Sequence, residues 1–218
     1  EASVLLGDYI YSAALGAAAG IADPTCTRVM AGASRKICQG EILQILRKAR
    51  IDLTEADYMR IIGAKMAGLY GAAAELGARY AGAPPPEVEA LRRFGHDLGL
   101  AFQIIDDCLD LAGSEEQVGK SLGSDVVQGK MTLPLIHLVS RSAPREVEAL
   151  ARLYREVAPE KRREALGGLL DFREGLAYAR ERARALVAGA RRRLEGLPAG
   201  PVLDSLHGLA DYVLERDR

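Results

Sequence analysis

The sequence predicts an all-α protein, and three observations support this fold class. The 218 residues include no Trp and no Asn, and Ala, Leu, Arg and Glu dominate the chain. No window shows sustained two-residue alternation of β-branched side chains, which is the pattern of a half-buried strand. Apolar side chains instead recur at helical spacing between short breaks that contain Pro or Gly. We therefore expect one all-α domain over residues 1–218.

Local capping signals predict where the first helices begin. Asp23 followed by Pro24 is typical of an N-cap with proline at the first helical position. Thr54 with Asp57 three residues later resembles a capping box, with Asp in place of the usual Glu or Gln. The helix that Thr54 opens is predicted to continue to about residue 82, just before a run of three prolines.

A long helix is predicted from Glu87 to Asp110, with apolar side chains at helical spacing along it. A looser segment with four glycines follows, and helical patterning resumes at Leu133. The tail from Phe172 to Arg216 predicts two amphipathic helices separated by a Leu-Pro-Ala-Gly-Pro break.

Composition and charge argue against several classes of partner. The chain has 29 basic and 30 acidic residues, so it lacks the basic excess typical of proteins that bind nucleic acid. No apolar run reaches the ~18 residues of a membrane span, because Asp8 interrupts the closest stretch; we predict no transmembrane segment. The three cysteines form no CxxC pair and are interpreted as buried free thiols in a reducing compartment, which favours the cytoplasm.

The most informative stretch is the run FQIIDDCLD at 102–110. On a helix, Asp106 and Asp110 lie on one face with Gln103 on the same side, and Asp107 lies about 100° away. Like charges at this spacing repel each other, and the flanking side chains are apolar, so the carboxylates need cations or donors. A hard divalent cation with oxygen ligands fits this need. The alternative is a solvated acidic edge of a helix.

Glycines and lysines follow the aspartates, in the runs GKSLGSD at 119–125 and GKMTLP at 129–134. Lysine supplies the compact positive charge that a diphosphate requires, and glycine lets the backbone approach a ligand. The spacing is not that of a P-loop. Together with the carboxylates, the lysines predict a site for a metal ion and a diphosphate. The alternative is an ordinary surface loop.

These motifs together resemble the class I trans-polyprenyl diphosphate synthases. The run 95–110 resembles the second aspartate-rich region of that family, and the two lysine runs resemble the block that follows it. Upstream, GEILQ at 40–44 resembles the family's GExxQ helix, and LLGDY at 5–9 resembles its LLGDY helix. The resemblance covers essentially the whole chain. It implies a bundle of antiparallel helices around a central apolar cavity, and a homodimer.

The resemblance also implies which residues form the site. Asp106 and Asp110 are expected to hold Mg²⁺ with support from Asp107, and the sequence leaves open the preference for Mg²⁺ over Mn²⁺. The remaining expected site residues bind substrates. The allylic diphosphate contacts Lys65, Lys120 and Lys130. Gln103 forms a hydrogen bond in the same site, and Phe102 packs near isopentenyl diphosphate. The alternatives are a solvent-facing Lys65 and a plain core Phe102.

The reaction that the resemblance implies has three steps: ionisation, condensation and elimination. The allylic C–O bond breaks with its electron pair going to diphosphate, the isopentenyl double bond attacks the carbocation, and a proton leaves to the departing diphosphate. Asp106, Lys65 and Lys120 are expected to be the catalytic residues. The pocket must be dry, because water would quench the cation.

The chain departs from the family pattern at its front. The family's first aspartate-rich motif is absent, so we expect the N-terminal third to be missing from this chain. The alternatives to a synthase are a non-catalytic subunit of a heteromeric synthase, an inactive fragment, or a terpene cyclase, whose usual Asn-Ser-Glu motif is excluded by the lack of Asn. Small residues such as Ala14 and Ala17 are predicted to line the pocket floor and to permit a product of geranylgeranyl length or longer.

Overall fold

The computed structural model describes residues 2–112 and 123–216, and all regular structure within them is helical, which confirms the predicted all-α class. A π-helical turn, Gly63–Ala67, joins the third helix to the fourth, and a 3₁₀ turn, Pro159–Lys161, precedes the ninth. The α-helices are α1 (Ala2–Ala19), α2 (Thr25–Leu46), α3 (Glu55–Ile62), α4 (Gly68–Tyr80), α5 (Pro85–Ala112), α6 (Ser124–Val127), α7 (Leu133–Arg141), α8 (Pro144–Glu156), α9 (Arg162–Leu169), α10 (Arg173–Arg193) and α11 (Pro201–Glu215).

The long helix α5 is the central element, because α4 and α10 both pack along it. Leu98 and Ile104 on its buried face have almost no exposed surface. The approach of α4 is so close that a Cβ at Gly95 would lie 2.5 Å from the carbonyl oxygen of Tyr70. Only glycine permits this contact without moving a backbone. The aspartates near the end of α5 are therefore carried on a helix that is fixed from two sides.

Helix α3 begins with the capping box that the sequence predicts. Thr54 Oγ1 accepts the backbone N–H of Asp57 at 3.1 Å, and the Asp57 carboxylate accepts the backbone N–H of Thr54 at 3.3 Å. The single helix predicted from here to about residue 82 is instead interrupted at 63–67 by the π-helical turn. Such a turn adds one residue to a helix without ending it, so the lack of a helix break in the sequence does not reveal it.

Two predicted helix starts are shifted. Helix α2 begins at Thr25, one residue later than predicted, and Asp23 Oδ1 accepts the Thr25 backbone N–H at 3.0 Å. Helix α5 begins at Pro85 rather than at Glu87, because proline is tolerated in the first helical turn, where the N–H needs no intrahelical partner. The start at Leu133 and the two tail helices are confirmed.

Helix α1 lies mostly in solvent. Ala18 is its one buried residue, whereas Leu5 and Tyr9 expose 68% and 73% of their surface. Ala14 and Ala17, predicted to line a pocket floor, are exposed as well. The surface of α1 is therefore apolar but uncovered by the residues that the structure describes.

By length and composition alone, α1 could cross a membrane. Core helices of soluble proteins and signal sequences pass the same test, so the observation is weak. The absence of a transmembrane segment therefore stays a prediction, although the single Asp8 in this helix does not by itself exclude a span.

The cysteines differ from the prediction in one respect. All three are free, and Cys26 and Cys108 are buried, but Cys38 is exposed. Burial raises the pKa of the Cys108 thiol to about 12. Cys108 is therefore an inert core residue beside the aspartates.

Candidate active site

The three aspartates at the end of α5 have different surroundings, and Asp106 is the open one. Its side chain is 48% exposed. Arg216, just beyond α11, places Nη2 3.9 Å from Asp106 Oδ1, which is a loose ion pair and not a hydrogen bond. Asp106 therefore offers a carboxylate that a ligand in solvent can reach directly, whereas Asp107 is buried and Asp110 is partly exposed.

Asp107 lies at the centre of a buried hydrogen-bond network. Its Oδ2 accepts the hydroxyl of Tyr58 at 2.7 Å, and its Oδ1 accepts Gln103 Nε2 at 2.9 Å and Lys130 Nζ at 2.8 Å. Burial and then the charge of Asp107 raise the pKa of Tyr58 well above its ordinary value, so the phenol stays protonated and donates. Gln103 therefore belongs with Asp107, four residues later, and not with Asp106 and Asp110.

Asp110 caps the start of the short helix α6. Its Oδ1 accepts the backbone N–H and the hydroxyl of Ser124 at 3.2 and 3.0 Å, and its Oδ2 accepts the backbone N–H of Asp125 at 3.0 Å. Helix spacing predicts that Asp106 and Asp110 project together. The unpaired N–H groups of α6 instead draw the Asp110 carboxylate toward that helix.

Lys130 bridges two carboxylates. Its Nζ lies 2.8 Å from Asp107 Oδ1 and 2.8 Å from Asp125 Oδ2. Burial alone would lower the pKa of this ammonium, but the charges of the two carboxylates outweigh burial and raise it. Burial, followed by the charge of Asp107, raises the pKa of Asp125 to about 6. Lys130 is thus a permanent cation, while Asp125 changes charge in mildly acidic solution.

Lys65 is carried by the π-helical turn and faces the end of α2. Its Nζ lies 2.8 Å from Glu41 Oε2 and 3.4 Å from Gln44 Oε1. The backbones approach closely here, because a Cβ at Gly40 would lie 2.8 Å from the Lys65 backbone nitrogen. The sequence motif GEILQ is therefore the surface on which Lys65 rests, which argues against a lysine that simply faces solvent.

A small pocket links the two lysine sites. Its free volume of about 10 Å³ is roughly that of one water molecule, and its lining includes Gln44, which accepts from Lys65, together with Tyr58 and Lys130. The structure thereby brings Lys65 and Lys130 to one region of the molecule. Lys120 lies outside the described residues.

Phe102 is half-buried one turn before Asp106. Its ring centroid lies 5.6 Å from that of Tyr70 and 4.1 Å from the guanidinium carbon of Arg216. Tyr70 also lines an open apolar groove of about 390 Å³ between α4, α5 and α11. Phe102 is therefore more than a core residue, since one face of its ring packs against a cation beside Asp106.

The described residues supply some, but not all, of the ligands that a divalent cation needs. No three His, Cys, Asp or Glu side chains within 2–112 and 123–216 converge to hold a metal ion by themselves. Mg²⁺ is usually bound through one or two carboxylates together with phosphate oxygens and waters. The open carboxylate of Asp106 fits such a site.

Three contributors to the site are absent from the sequence-based prediction. Tyr58 bonds to a residue 49 positions away, Asp125 pairs with Lys130, and Arg216 reaches Asp106 from the end of the chain. For Asp125 the sequence does hold a signal, because this residue ends the GKSLGSD run at 119–125. Nothing in the sequence signals the other two contacts, because they depend on tertiary packing.

Comparison with known protein families gives a clear match. The sequence pattern of the family described as "Polyprenyl synthetase" matches residues 1–167. The chain is 36% identical over 217 residues to a protein of Escherichia coli (strain K12) named octaprenyl diphosphate synthase. This alignment covers 100% of the chain and 67% of that relative.

Solved structures agree with the sequence match. A decaprenyl diphosphate synthase from Rhodobacter capsulatus superposes with a TM-score of 0.88 at 34% identity, over 99% of this chain and 67% of the other. A polyprenyl synthase from Caulobacter crescentus CB15, complexed with calcium and isoprenyl diphosphate, superposes with a TM-score of 0.88 at 37% identity, over 99% of this chain and 66% of the other. The fold and the helix order are thus shared across these proteins.

Proposed function

The chain belongs to the polyprenyl synthetase family, and we propose that it joins an allylic diphosphate to isopentenyl diphosphate to give a longer trans-polyprenyl diphosphate. One observation carries the proposal: the exposed carboxylate of Asp106 lies beside Phe102. The next residue in the sequence, Asp107, forms an ion pair with Lys130. An accessible carboxylate, an apolar ring and held ammonium groups are what a metal-bound diphosphate with an apolar tail requires.

We propose Mg²⁺ as the cation, with Asp106 as its protein ligand. Bound Mg²⁺ would neutralise diphosphate oxygens and so ease the departure of diphosphate. The Caulobacter crescentus relative is complexed with calcium and isoprenyl diphosphate, and its binding of a divalent cation and an isoprenyl diphosphate supports this proposal. That Asp107 and Asp110 also ligate the ion stays a prediction, because their oxygens accept hydrogen bonds from the protein here.

The chain's own groups would act on the charge that develops as the allylic C–O bond breaks. The electron pair of this bond goes to the diphosphate, and Lys65 and Lys130, with Lys120 as predicted from sequence, would balance that charge. The isopentenyl double bond then forms the new C–C bond, and the proton lost from the adduct goes to the diphosphate. Phe102 would keep water from the carbocation on its side of the site.

We further propose that the protein is a homodimer and resides in the cytoplasm. The apolar residues of α1, such as Leu5 and Tyr9, are exposed, and so are Ile42 and Leu46 near the end of α2. Exposed apolar side chains on two helices that pack against each other support a protein interface. The three free cysteines are consistent with a reducing compartment.

Prenyl transfer is the experiment that tests the main proposal. The purified protein is incubated with farnesyl diphosphate, labelled isopentenyl diphosphate and Mg²⁺, and labelled polyprenyl products are separated by chromatography. We expect product that disappears when EDTA is added and falls by at least about 100-fold in Asp106→Asn. Asp97→Asn, on the same helix but outside the site, serves as the control and should retain activity.

The same assay separates the alternative functions. Mg²⁺-dependent binding of the diphosphates without turnover would support a non-catalytic subunit. The absence of both binding and turnover would contradict the proposed function.

A further inference from the structure

Asp107 is placed as a fixed counter-charge. Its side chain has no exposed surface, and each of its oxygens has a donor within the protein, Tyr58 on Oδ2 and both Gln103 and Lys130 on Oδ1. A buried carboxylate with both oxygens bonded is fully satisfied. A metal ion could reach it only by breaking these bonds, whereas Asp106 on the preceding position is open.

Tyr58 fixes the orientation of that carboxylate. The tyrosine is 2% exposed, and it lies in the first turns of α3, directly after the capping box of Thr54 and Asp57. Its hydroxyl donates to Asp107 over 2.7 Å, the short distance typical of a hydrogen bond to a charged acceptor. The rigid start of α3 is thereby connected to the aspartates of α5.

Lys130 is the group that this network holds. Its backbone N–H donates to the Asp125 carbonyl at 2.8 Å, and the preceding Gly129 accepts the Ala49 backbone N–H at 2.7 Å. A lysine side chain has four flexible methylenes, and the two carboxylates on its ammonium remove that freedom. The Asp125 side chain is 20% exposed while that of Asp107 is not, so a ligand can approach the ammonium from the side of Asp125.

We infer that Tyr58 and Asp107 are positioning residues that act through Lys130: the phenol fixes the carboxylate, and the carboxylate fixes the ammonium that meets a diphosphate oxygen. The inference rests on the proposed function for the identity of the ligand. The two aspartates then have different roles: Asp106 is exposed and can bind a metal ion, whereas Asp107 is buried and binds Lys130. A diphosphate oxygen then takes the place of Asp125 beside Lys130.

Steady-state kinetics test the inference with a matched pair of variants. Tyr58→Phe removes the hydroxyl that holds Asp107, and Tyr154→Phe removes a buried hydroxyl that has no partner among the described residues. We expect Tyr58→Phe to raise the KM for the allylic diphosphate about tenfold, as loss of a hydrogen bond to a charged group does, with kcat and the Mg²⁺ requirement nearly unchanged. Tyr154→Phe should leave all three unchanged.

Double variants show whether the effect passes through Lys130. Tyr58→Phe added to Lys130→Ala should cost no more than Lys130→Ala alone, because the positioned group is already gone. Additive effects would overturn the inference. A raised Mg²⁺ requirement in Asp107→Asn would overturn it as well, since it would identify Asp107 as a metal ligand.

Chemical labelling tests the same network without catalysis. The protein is treated with a limiting amount of acetic anhydride, and acetylation of Lys130 is quantified by peptide mass spectrometry. We expect faster acetylation of Lys130 in Tyr58→Phe and Asp107→Asn than in the wild type and Tyr154→Phe, with Lys36 as the internal reference. Equal rates would overturn the inference even if the protein transfers prenyl groups, whereas faster rates in an inactive protein would contradict only the proposed function.

Discussion

The guanidinium carbon of Arg216 lies 4.1 Å from the ring centroid of Phe102, and its Nη2 lies 3.9 Å from Asp106 Oδ1. One arginine near the end of the chain thus contacts both the aromatic ring and the open carboxylate of the site. Its charge is placed where it opposes the arrival of another cation at Asp106.

Removal of that charge should favour metal binding. In Arg216→Ala we expect the Mg²⁺ concentration for half-maximal prenyl transfer to fall about threefold or more, because the divalent cation no longer meets a nearby positive charge. A Mg²⁺ titration at saturating substrate measures this. Arg216→Lys keeps the charge and should keep the wild-type requirement; a fall in both variants would assign the effect to packing on Phe102.

Gly40 should be irreplaceable where α2 meets the π-helical turn. In Gly40→Ala the new Cβ would lie 2.8 Å from the Lys65 backbone nitrogen, so the two segments must separate. We expect a loss of about 1–3 kcal/mol in the free energy of unfolding, measured by urea denaturation, and weaker diphosphate binding as Lys65 shifts.

Gly32→Ala on the same helix is the matched control. A Cβ there meets nothing within 4 Å, so alanine should stabilise the helix by up to ~1 kcal/mol. Similar losses of stability in the two variants would contradict the close-approach explanation.

The capping box at the start of α3 should contribute measurably to the free energy of unfolding. Thr54→Ala removes the acceptor for the Asp57 backbone N–H and should lower the free energy of unfolding by ~1 kcal/mol. Thr27→Ala inside α2 is the control, and it should change stability by less than about 0.5 kcal/mol. The cap would have no measurable role if urea curves of the two variants coincide.

Asp125 should give the protein a pH-dependent stability. Its pKa is raised to about 6 in the folded state by burial and then by Asp107, against roughly 3.9 in the unfolded chain. The folded state therefore binds the proton more tightly, so the free energy of unfolding falls as pH rises from about 4 to about 6.

Asp125→Asn cannot titrate and should lack this fall. We expect the stability of the variant relative to the wild type to increase as pH rises through that window, in urea denaturation at several pH values. Parallel pH profiles would contradict a raised pKa at Asp125.

Local signals explain why much of the fold was predictable. The cap at Thr54, the breaks at proline and glycine, and the apolar spacing along α5 each depend on neighbours within a turn or two. The directions of the aspartates were not predictable in this way. Asp107 and Asp110 turn toward Tyr58 and α6 because a distant hydroxyl and unpaired backbone N–H groups need acceptors, and helix spacing carries no information about either.

The π-helical turn at 63–67 has a consequence for anyone who redesigns or trims this protein. If the π-helical turn became regular α-helix, the helix from Glu55 to Tyr80 would contain one residue fewer. Every side chain after the turn would then rotate by about 100° about the helix axis. Lys65 would then leave Glu41, and the glycine contacts of α4 with α5 would fall out of register. A single-codon deletion in this turn would therefore be far more damaging than its length suggests, while the same deletion at an exposed helix end would be absorbed.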